Sequence, residues 1–330
     1  MAVSDHLNIT APLPEKDRIV SHGDSLEKKN GLMSSLLSRP LPFSQTVRNG
    51  LALLLLAAAV ACFWQPFLTL YALSQDQEHY SHIILIPLVS LYVLYGKRTA
   101  ILASREWSPV LGGVLIVAGS LGYWQSDTVA LGPDALSVIM TGFVAICWGI
   151  FFLSYGVRPF QHVSFGLLFL LFMVPFPSVM LSAIIGFLQR MSAEASDVIF
   201  AMLGIPVFRE GFSFSLTNFS VHVAEECSGI RSFLSLIITV LVAGHFFLRS
   251  LWAKVGMLTI VVPLAIVKNA FRIVGLTLLA NYVDPQYITN SVLHSSGGIP
   301  LFALSLVVLF SLMWFLRRVE QRFGYGTRKM

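Results

Sequence analysis

The sequence predicts an all-α polytopic membrane protein. It would have about eight transmembrane helices, a short extracytoplasmic amphipathic helix and a β-hairpin. Three observations predict this class. Hydrophobic residues make up 55% of the chain and charged residues only 12%, with a mean hydropathy of +0.75, whereas a soluble domain carries about 25% charged residues. The apolar residues come in unbroken runs rather than in stripes at helical spacing. The basic residues gather in alternate gaps between those runs, as they do in membrane proteins with a defined orientation.

Residues 1–49 are polar and rich in Ser, Lys and Pro. They read as a disordered cytoplasmic tail, with no charged region and short apolar stretch of the kind that marks a cleavable signal peptide. The apolar runs follow at 50–72, 82–96, 109–123, 136–154, 162–174, 229–248, 255–279 and 300–316. Together they define a transmembrane domain over 50–317, followed by a basic cytoplasmic tail over 318–330. The second, third and fifth runs are short for a bilayer and would borrow flanking residues, since a perpendicular helix needs about 20.

Lys97, Arg98 and Arg105 fall in one gap, Arg158 in another, Arg249 and Lys254 in a third, and Arg317, Arg318 and Arg322 after the last run. The intervening loops 73–81, 124–135 and 280–299 contain no Lys or Arg. By the positive-inside rule both termini are cytoplasmic and those loops face outward. The net charge of +5 therefore reports membrane orientation, and no nucleic-acid partner is expected.

Pro175 and Pro177 end the fifth run. Residues 179–203 are apolar but interrupted by Gln189, Arg190, Glu194 and Asp197, which predicts an amphipathic helix at the outer surface. Polar and apolar residues alternate through Phe212–Leu216 and Phe219–Val223 on either side of Thr217-Asn218, a hairpin pattern. The chain then reaches Glu225-Glu226-Cys227-Ser228-Gly229 at the mouth of the sixth span.

Arg272 lies inside the seventh run, where a cation costs at least about 2.5 kcal/mol unless paired or wetted. Lys268 and Asn269 share its helical face; the plain alternative is a structural polar cluster between spans. Of three cysteines, Cys62 and Cys147 sit within apolar runs and read as small buried hydrophobes. Cys227 stands at a helix amino terminus, where the dipole favours a thiolate, with Arg231 one turn on. Taken alone, such a cysteine is more often inert. The topology nevertheless brings Cys227, Arg272 and His294, from three separate segments, to one outer face. Nucleophile, guanidinium and imidazole make a complete acyl-transfer set. No CxxC, HxxxH or HExxH spacing occurs, nor a phosphate-binding glycine loop, so no metal or other cofactor is expected.

These residues resemble the exosortase/archaeosortase family of membrane cysteine transpeptidases over roughly 60–316. Arg209-Glu-Gly211, Cys227-Ser-Gly-Ile-Arg231, Asn269-Ala-Phe-Arg272 and His294 carry the resemblance, with weaker matches at Tyr80-Ser-His82, Ile86-Pro87 and Val174-Pro-Phe-Pro177. Glu226 stands where the family usually has a small residue, and Ile83 where it has Gly.

The resemblance implies Cys227 as nucleophile, Arg272 as oxyanion or thiolate partner and His294 as acid–base, with Asn269, Arg231 and Ser228 supporting. It further implies that exported proteins bearing a carboxyl-terminal sorting signal are the substrates, met in the lipid of a bacterial inner membrane with the site facing the periplasm. Polysaccharide-export machinery would be an associated partner. Two other readings stand beside it: a transporter or channel using Lys268 and Arg272, and a non-catalytic scaffold for polysaccharide export.

Overall fold

The computed structural model describes residues 39–40, 44–128, 134–216, 220–282 and 298–322. The first apolar run is broken at Phe63 into α1 (Gln45–Cys62) and α2 (Trp64–Asp76). Phe63 is buried, with its ring 4.8 Å from Tyr123 and 5.3 Å from Phe143. A 3-10 turn over Glu78–Tyr80 leads to α3 (Leu85–Gly96) and α4 (Arg98–Ala103). Then come α5 (Pro109–Thr128), α6 (Ala135–Tyr155) and α7 (Phe160–Phe169), which tightens into a 3-10 turn over Leu170–Met173. The second half comprises α8 (Ser178–Met202), α9 (Ile230–Phe247), α10 (Leu251–Tyr282) and α11 (Gly298–Arg322).

Among the described residues, five helices are long and apolar enough to cross a membrane: α1, α6, α9, α10 and α11. A sixth crossing is counted if Phe160–Met173 and Ser178–Met202, bent by 91° at their junction, form one broken span. By length and composition alone, the expected count of eight is not confirmed among the described residues. Leu85–Gly96 and Pro109–Gln125 are shorter apolar helices; at 1.5 Å per residue, 12 residues cover about 18 Å of a hydrocarbon layer about 30 Å thick. The chain is an integral membrane protein of the all-α class.

The packing divides into two bodies joined by α9. In the first, α5 lies directly against α6, and glycines set their separation. A Cβ on Gly112 would fall 2.8 Å from the Gly149 carbonyl oxygen, and one on Gly119 would strike the Gly142 carbonyl. With no side chain at these crossings the backbones touch, the usual device where lipid supplies no hydrophobic drive for association. Phe63, Leu70, Tyr80, Ile86, Met140 and Phe143 continue this core. In the second body, Leu236 and Val240 of α9, Met257 and Val261 of α10 and Leu309 and Met313 of α11 form one cluster. The opposite side of α9 reaches the first body through Ile238, Leu241 and Val242, and His245 stacks flat on Phe165 at 4.0 Å.

The two ends of the bundle differ chemically. At one end Arg48 is buried, donates to the Ser104 and Leu102 carbonyls and lies 5.0 Å from the Tyr155 ring. Arg158 pairs with Glu106 at 2.8 Å beside it. Glu320 of α11 accepts from the Arg249 and Ser250 amides at 3.1 and 2.8 Å, just ahead of α10, whose first turn Ser250 caps by accepting the Ala253 amide at 3.1 Å. At the other end of α6, Asp134 accepts from the Ser178 amide at 2.6 Å and its hydroxyl at 3.0 Å, which starts α8. Tyr80 donates to the neighbouring Phe176 carbonyl at 3.4 Å.

Candidate active site

The site lies at the Asp134 end, where α8, α9, α10 and a small sheet converge. Strands β3 (Phe208–Glu210), β4 (Ser213–Ser215) and β5 (Ser220–His222) pair antiparallel in that order; β1 (Arg39–Pro40) and β2 (Glu106–Trp107) form a separate pair elsewhere. Register sets Arg209 opposite Phe214, and Phe214 opposite Val221. Phe214 is fully buried against Phe200 of α8, ring centroids 5.6 Å apart.

Arg209 fastens this sheet to α8. Its guanidinium donates to Glu194 at 3.2 Å and to the Gly211 carbonyl at 3.0 Å, and lies 3.9 Å from Asp197. Both carboxylates are largely exposed, so the pairs orient more than they stabilise. The buried contact is stronger. Gln189, on the inner face of α8 with Ser192, Ala193, Ser196 and Phe200, donates to the Val223 carbonyl at 2.5 Å. In the sequence Gln189 stands out only as an interruption of an apolar helix. Its role appears once Val223, 34 residues on, is placed beside it.

From Val223 the chain turns through a 3-10 segment, Glu225–Ser228, into α9. Gly229 caps α9 with φ of +81°, the left-handed region. A Cβ there would fall 2.9 Å from Cγ of Asn269, so glycine is demanded by both conformation and space. Asn269 donates to the Cys227 carbonyl at 2.8 Å. One residue earlier on α10, Lys268 donates to Ser232, whose hydroxyl donates to the Gly229 carbonyl at 2.9 Å. Two consecutive α10 side chains thus hold the two carbonyls on either side of Ser228.

Cys227 is half-buried and packs with Ala193, Phe214, Val223 and Ile273. Ser228 is buried beside it. Ser228 Oγ and Asn269 Oδ1 have no hydrogen-bond partner among the described residues. Arg272, one turn along α10 from Asn269, is half-buried, and Arg231 is exposed. The structure therefore brings Cys227, Ser228 and Asn269 together and carries Arg272 on the same helix as Asn269. His294 lies outside the described residues. Cys62, expected to be buried, is exposed on α1, whereas Cys147 is half-buried in the α6 core; on a spanning helix an apolar residue is equally at home facing lipid.

Two other imidazoles stand at this end, in and just after the Glu78–Tyr80 turn, which packs against α9. Burial holds His79 below the ordinary imidazole range. His79 Nε2 has no hydrogen-bond partner among the described residues. Also among the described residues, no three His, Cys, Asp or Glu side chains converge on a metal position.

Chemically, the arrangement offers a thiol just before the first turn of a helix, where unpaired amides and the dipole favour an anion. A neighbouring helix supplies cations at Lys268 and Arg272. Neither a curated protein nor a solved structure matches the chain. The family model for the transmembrane exosortase (EpsH) matches residues 72–311, a stretch that runs from α2 into α11 and contains the whole site. The chain belongs to the transmembrane exosortase family.

Proposed function

We propose that the protein is a membrane-embedded cysteine transpeptidase or peptidase. It would remove the carboxyl-terminal sorting signal of exported proteins held in the membrane by that signal, in association with cell-surface or polysaccharide export. The observation that carries this reading is the Asn269–Cys227 bond. It fixes the thiol-bearing turn to the helix that presents Arg272, so nucleophile and cation are built as one unit.

In this mechanism His294 takes the proton of the Cys227 thiol, and the thiolate attacks the scissile carbonyl carbon. The carbonyl electron pair moves onto oxygen, where the Arg272 guanidinium stabilises the oxyanion. Collapse breaks the C–N bond, His294 delivers a proton to the leaving amine, and a thioester to Cys227 remains. His294 then deprotonates water or a cell-surface amine or hydroxyl, which attacks the thioester and restores the thiol. Asn269 and Ser228 keep the turn in place, and Arg231 adds positive potential at the helix start. Enzyme and substrate share one bilayer and meet already oriented. The basic end of the bundle faces the cytoplasm of a bacterial inner membrane and the thiol end faces the periplasm.

The test is co-expression with a reporter carrying a carboxyl-terminal span preceded by a short Pro-Glu-Pro-like motif and followed by basic residues. Processing, followed as a decrease in reporter size, is expected to disappear in Cys227→Ala and to fall at least about 100-fold in Arg272→Ala and His294→Ala. Unchanged processing in Cys227→Ala would end the thiol mechanism.

A further inference from the structure

Lys268 is a buried cation that the acyl-transfer scheme leaves unused, and its place needs explaining. It is only 6% exposed, yet its ammonium donates to Ser232. Ser232 is the third residue of α9, inside the first helical turn. A positive charge there meets the positive end of the helix dipole, and burial adds a desolvation cost. An uncharged side chain would pack at this position without either penalty. The cation is favoured only if it holds something in place or faces an anion.

The first of these is met at the cysteine turn. Lys268 donates to Ser232, and Ser232 in turn donates to the Gly229 carbonyl, which also accepts the Phe233 amide at 3.0 Å. A donor carrying charge polarises the hydroxyl and strengthens the bond beyond it. The Gly229 carbonyl is thereby held on one side of Ser228, while Asn269 holds the Cys227 carbonyl on the other. Through Ser232 the charge lies one helical turn from Gly229, the residue that ends the thiol's turn.

We infer that Lys268 is a positioning residue for the nucleophile. It acts through Ser232 on the left-handed Gly229 cap, and its charge biases the Cys227 thiol toward the thiolate. This rests on the reading of Cys227 as nucleophile. It goes beyond that reading because the acyl-transfer scheme gives Lys268 no part, and its contact is with Ser232.

The test uses the full chain in detergent, in a Cys62→Ala, Cys147→Ala background, with iodoacetamide as the probe of Cys227. Alkylation rate is followed against pH, and reporter processing is followed in cells. Lys268→Met is expected to slow processing about tenfold and to move the alkylation profile to higher pH, and Lys268→Arg is expected to restore both. Ser232→Ala should slow processing in the same direction, and the double variant should be no worse than the worse single one, as for two members of one relay.

Wild-type processing and an unmoved profile in Lys268→Met would overturn the assignment, as would losses in the two single variants that simply add. If Lys268→Met does not accumulate, Ser232→Ala decides alone, since it keeps the charge and cuts the relay; wild-type processing there overturns the assignment. Cys227→Ala separates the two levels. Processing retained in that variant removes the nucleophile reading itself, whereas processing lost there but retained in Lys268→Met removes only the role of Lys268.

Discussion

Gly229 concentrates the demands that the cysteine turn makes on single residues. Its φ of +81° lets the chain pass from the 3-10 segment into α9 within one residue, and its missing side chain leaves room for Asn269. Gly229→Ala is therefore expected to cost about 1–2 kcal/mol for the left-handed backbone alone, with the clash at Asn269 added. The unfolding midpoint in detergent should drop, and Cys227 should alkylate more slowly as its turn shifts. An unchanged midpoint would mean that the turn relaxes freely and that the Asn269 contact does not define it. At this scale the sequence was informative about type but not about partner. The cost of a cation at membrane depth marked Arg272, and a helix start marked Cys227. Nothing local to Asn269 announces a bond to a carbonyl 42 residues away.

Helix α8 shows how one element can be half legible. The spacing of its polar residues predicted an amphipathic helix, and Ser178–Met202 is a helix with one buried face, including Gln189, Ser192, Ala193, Ser196 and Phe200. That face does more than meet a surface: it packs against α10 and the cysteine turn and anchors the strand connection through Gln189. Gln189→Leu keeps the volume and strands the buried Val223 carbonyl, at an expected cost of about 1–3 kcal/mol. Hydrogen exchange at the Val223 amide, which donates to the Phe212 carbonyl at 2.9 Å, should quicken. Equal exchange rates would show that the sheet holds the segment without α8. The right-angle bend before α8 has a local cause in Pro175 and Pro177, whereas its direction follows from the Asp134–Ser178 cap, a contact between distant segments.

For the whole molecule, the separation of a basic end from a thiol end is the property with the largest consequence. Arg48, Arg158 and the contact of Glu320 with the Arg249 amide sit at one end, and Cys227 sits at the other with Tyr80 and Asp134. The proposed orientation then predicts that a membrane-impermeant maleimide added to spheroplasts of the Cys62→Ala, Cys147→Ala variant reduces later labelling of Cys227. A cysteine introduced at Arg318 should be protected until the membrane is opened. The reverse pattern would invert the orientation and with it the proposed encounter with exported substrates.

By itself the sequence determined that this chain lives in a membrane, where its helical runs lie and which residues are chemically out of place there. Each of these is a local property: the length of an apolar run, a proline pair, a charge in a hydrocarbon setting. Only the tertiary structure decided that the first run breaks at Phe63 and that Lys268 and Asn269 reach back to hold the turn carrying Cys227. Those features depend on which side chains meet between segments far apart in the chain. Such meetings are set by packing and hydrogen bonding across the whole bundle and leave no periodic trace in any one stretch.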